Sequence, residues 1–392
     1  MSTSDSITLQ SLTLTICRKL AIDFFEIKLI KTSVSFIKVG LLAILLVQAY
    51  FFLYKFEFDY LLRYGFSYAA SLHTLLCMMT LSLMLKTVKL IDDELVHMEA
   101  DLILSKNSEK KMKQAALQTL LYLTIHLFVL LFAIALFIIP QQGDENFFYV
   151  SHLFAKCFPN QKTIWEILCI PCFAACYLPA TVPLYQLIYG FTKMRLATYA
   201  LKDHIENINS GYEKRQHLNA DPTYHKVVRE RLVRILKFHS RLFLVGRTIE
   251  KRIQAVMFPF KLAGLLVMIG IVLYAFSLDD FWNNTQLKRL FSATFIVFLT
   301  LAGLASCGQS VEDLSAEVFD TLVTVPWYQW NESNKKMYLT FLTGTLKPFK
   351  LRYSQNISLN YNLALELIRS FFSAISVTLQ LQQARGHKLS LY

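Results

Sequence analysis

A chain of 392 residues that is 54% hydrophobic, only 17% charged and of mean hydropathy +0.40 is not a soluble domain but is composed like a protein of the lipid bilayer. Twelve Gly and nine Pro, beside 31 Phe, 19 Tyr and 4 Trp, exclude disordered and collagen-like polymers. The 40 Lys and Arg against 28 Asp and Glu give +12, which in a membrane chain records which loops face the cytosol, so no nucleic acid is expected as a partner.

The first 38 residues hold Asp5 and then Arg18, Lys19, Lys28, Lys31 and Lys38, without the compact apolar core of a cleavable signal. The first span must therefore direct insertion itself. Apolar runs of about 20 residues predict seven transmembrane helices, at 39–54, 66–85, 117–139, 164–190, 256–278, 290–307 and, more polar than the rest, 359–381. The fold class expected is all-α and polytopic, with a helical cytosolic anchor. Its parts are a cytosolic segment (1–38), spans one to four (39–190), a cytosolic helical connection (191–255), spans five and six (256–307), a cytosolic anchor connection (308–358), span seven (359–381) and an extracellular tail (382–392).

Lys and Arg decide the orientation, since acidic residues contribute little to it. Thirty fall on the side of the N-terminus and eight on the other, and only Lys261 and Arg369 lie within spans. Without the 65-residue fourth connection the bias is still sixteen to eight. The N-terminus is thus expected inside and the C-terminus outside. Heptahelical receptors coupled to G proteins have the opposite arrangement, so no G protein is expected. The sequon at Asn283 falls in an expected outer loop, whereas those at Asn331 and Asn356 fall on the inner side.

The connection after span four reads as long helices. Val227, Leu232, Ile235, Leu236, Phe238, Leu242 and Phe243 recur at threes and fours among Arg229, Arg231, Arg234, Lys237 and Arg241. That pattern predicts an amphipathic helix feeding into span five, with turns before it at Ser210-Gly211 and Asp221-Pro222. Its basic side is either a solvated face or a contact with anionic membrane lipid. After span six, Pro326-Trp327-Tyr328-Gln329-Trp330 places two indoles in a cytosolic connection, which implies packing against another element.

Span seven carries a polar stripe. At about 100° per residue, Glu366, Arg369, Ser370, Ser376, Val377 and Gln380 lie within about 60° of Ser373. Polar groups in a bilayer must face water, protein or their own backbone, so a pore wall and a dry helix contact are both open at this point.

No phosphate loop, zinc-protease motif or nucleophile motif is present, and neither a cofactor, a metal nor enzyme activity is expected. The Cys169, Cys172 and Cys176 cluster sits in an apolar span, where small residues serve helix contacts. A secondary transporter is the competing class, although no internal repeat is visible.

The C-terminal third, with Gly308-Gln309-Ser310, Pro326-Trp327-Tyr328-Gln329-Trp330, Lys347-Pro348, Ile357-Ser358-Leu359 and 370–382, resembles the insect odorant receptor family. In the related gustatory receptors the last span ends in Thr-Tyr, five apolar residues, Gln and Phe or Leu. Here Ser373-Ala374 replaces the opening pair while Gln380-Leu381 closes the pattern, which favours an odorant subunit over a gustatory-type channel. The resemblance implies a ligand-gated nonselective cation channel, a heterotetramer of tuning subunits with a shared odorant co-receptor. It further implies a multi-pass protein of the plasma membrane, in the dendrites of olfactory sensory neurons. Its gate positions fall on Val377, Gln380 and Leu381, with Ser373 and Ser376 on the same pore-lining stripe. It places a small volatile ligand between spans two, three, four and six, where Phe66, Tyr68, His73, Ile134, Phe137, Phe173, Tyr177, Phe291, Thr294, Phe295 and Phe298 are the candidate contacts.

Overall fold

The structure is a computed structural model. It describes residues 3–54, 58–99, 105–139, 141, 144–212, 221–276, 278, 286–352 and 357–389, and for some of these, notably 161–176 and 381–389, the backbone path alone. The larger elements are α1 (Thr3–Arg18), α2 (Lys28–Tyr54), α3 (Phe58–Glu99), α4 (Lys106–Ile138), α5 (Tyr149–Cys157), α6 (Lys162–Glu206), α7 (Pro222–Phe276), α8 (Gln286–Val323), α9 (Glu332–Thr345) and α10 (Tyr361–Leu389). Among the described residues no strand forms beyond an isolated bridge between Arg352 and Ser358.

Seven long helices, α2, α3, α4, α6, α7, α8 and α10, run through the seven apolar stretches. Among the described residues, four segments are long and apolar enough to cross a membrane, Lys28–Tyr54, Lys106–Ile138, Phe258–Ala275 and Gln286–Val323, and the two bent arms of α3, taken as one span, make a fifth. The chain is a multi-pass membrane protein. Most of these helices exceed the bilayer. The 55 residues of α7 extend about 80 Å, against a hydrocarbon core of about 30 Å. Likewise α10 continues to Leu389, past the expected end of span seven at 381.

The surplus length of α6, α7 and α8 packs with α9 into an anchor at one end of the bundle. Its core includes Phe191, Leu201, Ile205, Tyr224, Leu232, Ile249, Val318, Trp330, Tyr338 and Phe341. The basic amphipathic stretch is continuous with the fifth span in α7. Asp221 caps that helix by accepting from the Thr223 and Tyr224 amides, at 2.9 and 3.2 Å, ahead of Pro222 at its first position. Gly211 takes φ +88, which turns the chain after α6. The Trp330 indole donates to Asn209 Oδ1 and to the Tyr224 hydroxyl, at 3.1 and 3.0 Å, so the Pro-Trp-Tyr-Gln-Trp segment is tied into the anchor. Asn331 serves as the N-cap of α9, accepting from the Asn334 amide at 2.9 Å.

The N-terminal segment is an integral part of this packing. Cys17, Ala21 and Ile22 are buried against Val88, Leu123, Tyr185 and Ile188. Arg18 lies 3.7 Å from Asp92, which Lys193 approaches to 3.4 Å.

The opposite end of the bundle, the loop end, is closed by the turn at 144–149. There Arg289 is fully buried and paired with buried Asp144. Gln286 Nε2 donates to Asp144 at 3.0 Å, and Arg289 Nε donates to the Leu136 carbonyl at 3.0 Å. Beside this pair, Phe147 packs on Phe66, Phe137 and Tyr274 at ring separations of 5.5, 5.8 and 4.8 Å.

Candidate ligand-binding site

Beneath that cap lies a cavity of about 280 Å³, near the lower bound of the roughly 300–1,000 Å³ of small-molecule sites. Small side chains make the room. Ala70, Ala180, Gly264, Ala293, Ala305 and Ala364 stand on its walls, so α3, α6, α7, α8 and α10 leave space where larger residues would interdigitate. A Cβ added to Gly264 would meet nothing within 4 Å. By contrast, Gly270 lets α7 touch the backbone of α3, where an added Cβ would fall 2.7 Å from Phe66 Cα. One helix thus both closes on α3 and opens away from it.

The lining is mainly apolar with a few polar groups. The Thr80 and Thr181 hydroxyls donate to carbonyls of their own helices, Leu76 at 3.0 Å and Leu178 at 2.9 Å. His73 stands edge-on to Phe260, 5.7 Å between ring centroids. Thr300 Oγ1 lies 3.3 Å from Nε2 of fully buried His126, whose Nδ1 lies 2.9 Å from the Tyr185 hydroxyl. Lys261 is the one formally charged residue among the described residues that line the space.

Of the expected contacts, Phe66, His73 and Tyr177 line this cavity. Tyr68 packs on Phe52 of α2 at 5.3 Å. Ile134 joins the packing around Leu130 and Ile296, and Phe137 is buried 5.1 Å from Tyr177. Phe291 and Phe295 face outward, 58% and 52% exposed in the single chain. The Thr294 hydroxyl donates to the Leu290 carbonyl at 2.8 Å, and Phe298 meets Phe371 of α10 at 6.3 Å. The Phe173 side chain and Asn283 lie outside the described residues.

The expected enclosure by spans two, three, four and six differs from the observed one. No described residue of α4 lines the cavity, whereas α7 and the start of α10 do. On α8 the wall is Ala293, Ile296, Val297, Thr300, Leu301, Leu304 and Ala305, largely the face turned away from Phe291, Phe295 and Phe298. On α3 the lining residues Phe66, Ala70, His73, Cys77, Thr80 and Met84 recur at threes and fours. Extending the face from Phe66 and His73 by that period would have found them.

The cavity reaches Leu359, Asn360, Leu363, Ala364 and Leu367, at the entry to α10. Asn360 caps that helix, accepting from the Asn362 amide at 3.1 Å. Leu359 is held against Gly308, where an added Cβ would fall 1.7 Å from the Leu359 carbonyl oxygen. Farther along, Glu366, Arg369, Ser370, Ser373, Ser376, Val377 and Gln380 are all exposed in the single chain. Two of the stripe's hydroxyls, Ser370 and Ser376, donate to the carbonyls of Glu366 and Phe372, at 2.9 and 3.0 Å. The Leu381 side chain is outside the description.

The whole architecture is similar to that of the insect olfactory receptor OR5 from Machilis hrabei. Its structure in complex with eugenol superposes with a TM-score of 0.70 at 11% identity, covering 96% of this chain and 100% of that one. A second structure of the same receptor gives 0.69 at 11% identity with the same coverage. At that identity the likeness concerns the fold. No curated protein matches by sequence. The family model described as 7tm Odorant receptor matches residues 56–367, from the start of α3 into α10, and so takes in both the cavity and its junction with the last helix. By that match the chain belongs to the 7tm odorant receptor family.

Proposed function

We propose that this chain is the odorant-binding subunit of a ligand-gated, nonselective cation channel, assembled as a heterotetramer with a shared co-receptor. One observation carries the reading: a single apolar cavity is bounded both by the inter-helix walls and by the first turns of α10. A ligand that fills it better in one arrangement of α10 than in another shifts the equilibrium toward that arrangement. Eugenol, the ligand named for the Machilis receptor, is a small aromatic molecule, and a ligand of that size suits a space of about 280 Å³.

The stripe on α10 supports a pore wall. Glu366 and Arg369 turn away from the chain's own bundle, where lipid would leave their charges poorly solvated. Water or neighbouring subunits serve them better. Val377 and Leu381 form the apolar part of the gate, which closes by dewetting, and Gln380 lies beside them. The charge bias places the N-terminus and the anchor in the cytosol and the loop end outside.

Co-expression with the co-receptor and a panel of volatiles tests the reading. Rapid odorant-evoked cation current that persists without guanine nucleotides is expected. Slow, saturable solute uptake with no such current would replace the channel by a transporter.

A further inference from the structure

Behind the wall of the main cavity, a chain of polar groups crosses three of the apolar stretches. His126 of α4 is fully buried, with Nδ1 2.9 Å from the Tyr185 hydroxyl of α6 and Nε2 3.3 Å from Thr300 Oγ1 of α8. Neither nitrogen meets a carboxylate among the described residues, and a buried imidazole without a counter-charge is neutral, with one hydrogen. Tyr185, His126 and Thr300 thus carry one hydrogen each, and the two contacts use two of the three. One hydrogen is left at an end of the chain.

The phenol is the strongest donor of the three groups and the bare imidazole nitrogen the strongest acceptor, so Tyr185 donates to Nδ1 and the imidazole carries its hydrogen on Nε2. The Thr181 hydroxyl also stands beside the phenol, but its oxygen competes poorly with that nitrogen. Nε2 therefore donates to Thr300, and the hydrogen left over is that of the Thr300 hydroxyl. Its own helix does not take it. Thr80 and Thr181, on the same cavity, donate to earlier carbonyls of their own helices, whereas Thr300 makes no such bond among the described residues. Thr300 is half-buried and lines the cavity, while His126 and Tyr185 are not among its lining residues.

We infer that Thr300 is a specificity-determining contact of the cavity, and that the ligand it selects carries a carbonyl, as in an aldehyde, ketone or ester. The Thr300 hydroxyl donates to the carbonyl oxygen while the hydrocarbon part lies against Ile296, Leu301 and Leu304. A carbonyl suits the position because it accepts without bringing a hydrogen of its own. An alcohol would accept the same bond and leave its own hydrogen to be placed in a mainly apolar wall. His126 and Tyr185 are positioning residues, which decide that the threonine donates. The assignment rests on the main cavity being the odorant site.

The test uses 2-octanone and 2-methyl-1-octene, in which a methylidene group replaces the carbonyl oxygen. Binding of each, tritiated, is measured on membranes carrying the full chain with its co-receptor, against membranes carrying the co-receptor alone, at matched surface levels of each variant. Thr300→Val, equal in shape, should weaken the ketone about fivefold, the worth of one neutral hydrogen bond, and leave the alkene unchanged. Thr300→Ser, which keeps the hydroxyl, should keep the ketone's affinity. Tyr185→Phe frees the imidazole to hold its hydrogen on Nδ1 and accept from Thr300, whose oxygen then meets the ligand as an acceptor. That variant should lose its preference for 2-octanone over 2-octanol, whereas a merely loosened wall would weaken both alike. A ketone that loses no more than the alkene in Thr300→Val would overturn the contact, and an unchanged ratio of ketone to alcohol in Tyr185→Phe would overturn the orientation of the hydrogen. If the ketone does not bind above the control, the carbonyl class is overturned. The channel reading is judged separately, by the odorant-evoked current.

Discussion

Single residues set both the closures and the openings of this bundle. Arg289 holds the loop end together, because its guanidinium meets Asp144 and donates to backbone carbonyls with no access to solvent. Replacing it by Met strands a buried carboxylate, and the loss should be large, about 3–5 kcal/mol. A fall in the thermal midpoint of the detergent-solubilised receptor would report it, and an unchanged midpoint would refute the closure. Two glycines make a sharper comparison. An added methyl at Gly308 collides with the Leu359 carbonyl, so Gly308→Ala should displace the entry to α10 and abolish odorant-evoked current. Gly264 faces open cavity, so Gly264→Ala should leave surface expression intact or raise it, since alanine favours a helix by about 1 kcal/mol. It should selectively weaken the bulkier odorants of an active series.

At the scale of elements, α10 is the helix on which the proposed mechanism turns. Cysteines at Ser373, Ser376 and Gln380 should react with water-soluble thiol reagents in the assembled channel, and faster during odorant stimulation. A stripe sealed from reagent at rest and under stimulation would remove it from the pore. Val377→Ala, Gln380→Ala or Leu381→Ala should each change conductance or ion selectivity, with recording under a fixed odorant as the measurement. Helix α8 explains why the cavity wall was only partly legible. Aromatic rings suit volatile ligands, but Phe291 and Phe295 lie on an outer face that meets lipid or a neighbouring subunit and Phe298 packs on Phe371 of α10, while the wall needs Ala293 and Thr300 to leave room. Phe66 and His73 on α3 were legible because they share one helical face, and the rest of that face follows from its period.

For the molecule as a whole, buried histidines in the anchor give stability a response to pH. Burial lowers the pKa of His239, which packs edge-on to Phe341 at 5.0 Å. Burial also lowers that of His204, with Asp203 opposing and Arg234 reinforcing the shift. Both are depressed in the folded state, so above the ordinary histidine range, about 6.5, neither contributes to the pH dependence. As the pH falls through that range the unfolded chain takes up protons that the folded anchor resists, and stability declines. The thermal midpoint should therefore drop between about pH 7 and pH 5, and His239→Phe should flatten the dependence. An equally steep profile in that variant would exclude His239 as a source.

The sequence by itself determined the membrane class, the seven apolar stretches and the turns at Gly211 and Asp221-Pro222. Each follows from local quantities: the transfer free energy of about 20 residues, a positive φ, or an N-cap oxygen. It also carried the loose motifs of the C-terminal third, which led to the odorant receptor family. Only the tertiary structure decided that Arg289 meets Asp144 across 145 positions, that Gln48 is buried without a partner for its oxygen, and that α7 and α10 complete the cavity. The physical reason is common to all three. A cavity is the space between faces, and a buried charge or amide acquires its meaning from the groups opposite, so neither exists until the helices have chosen their neighbours.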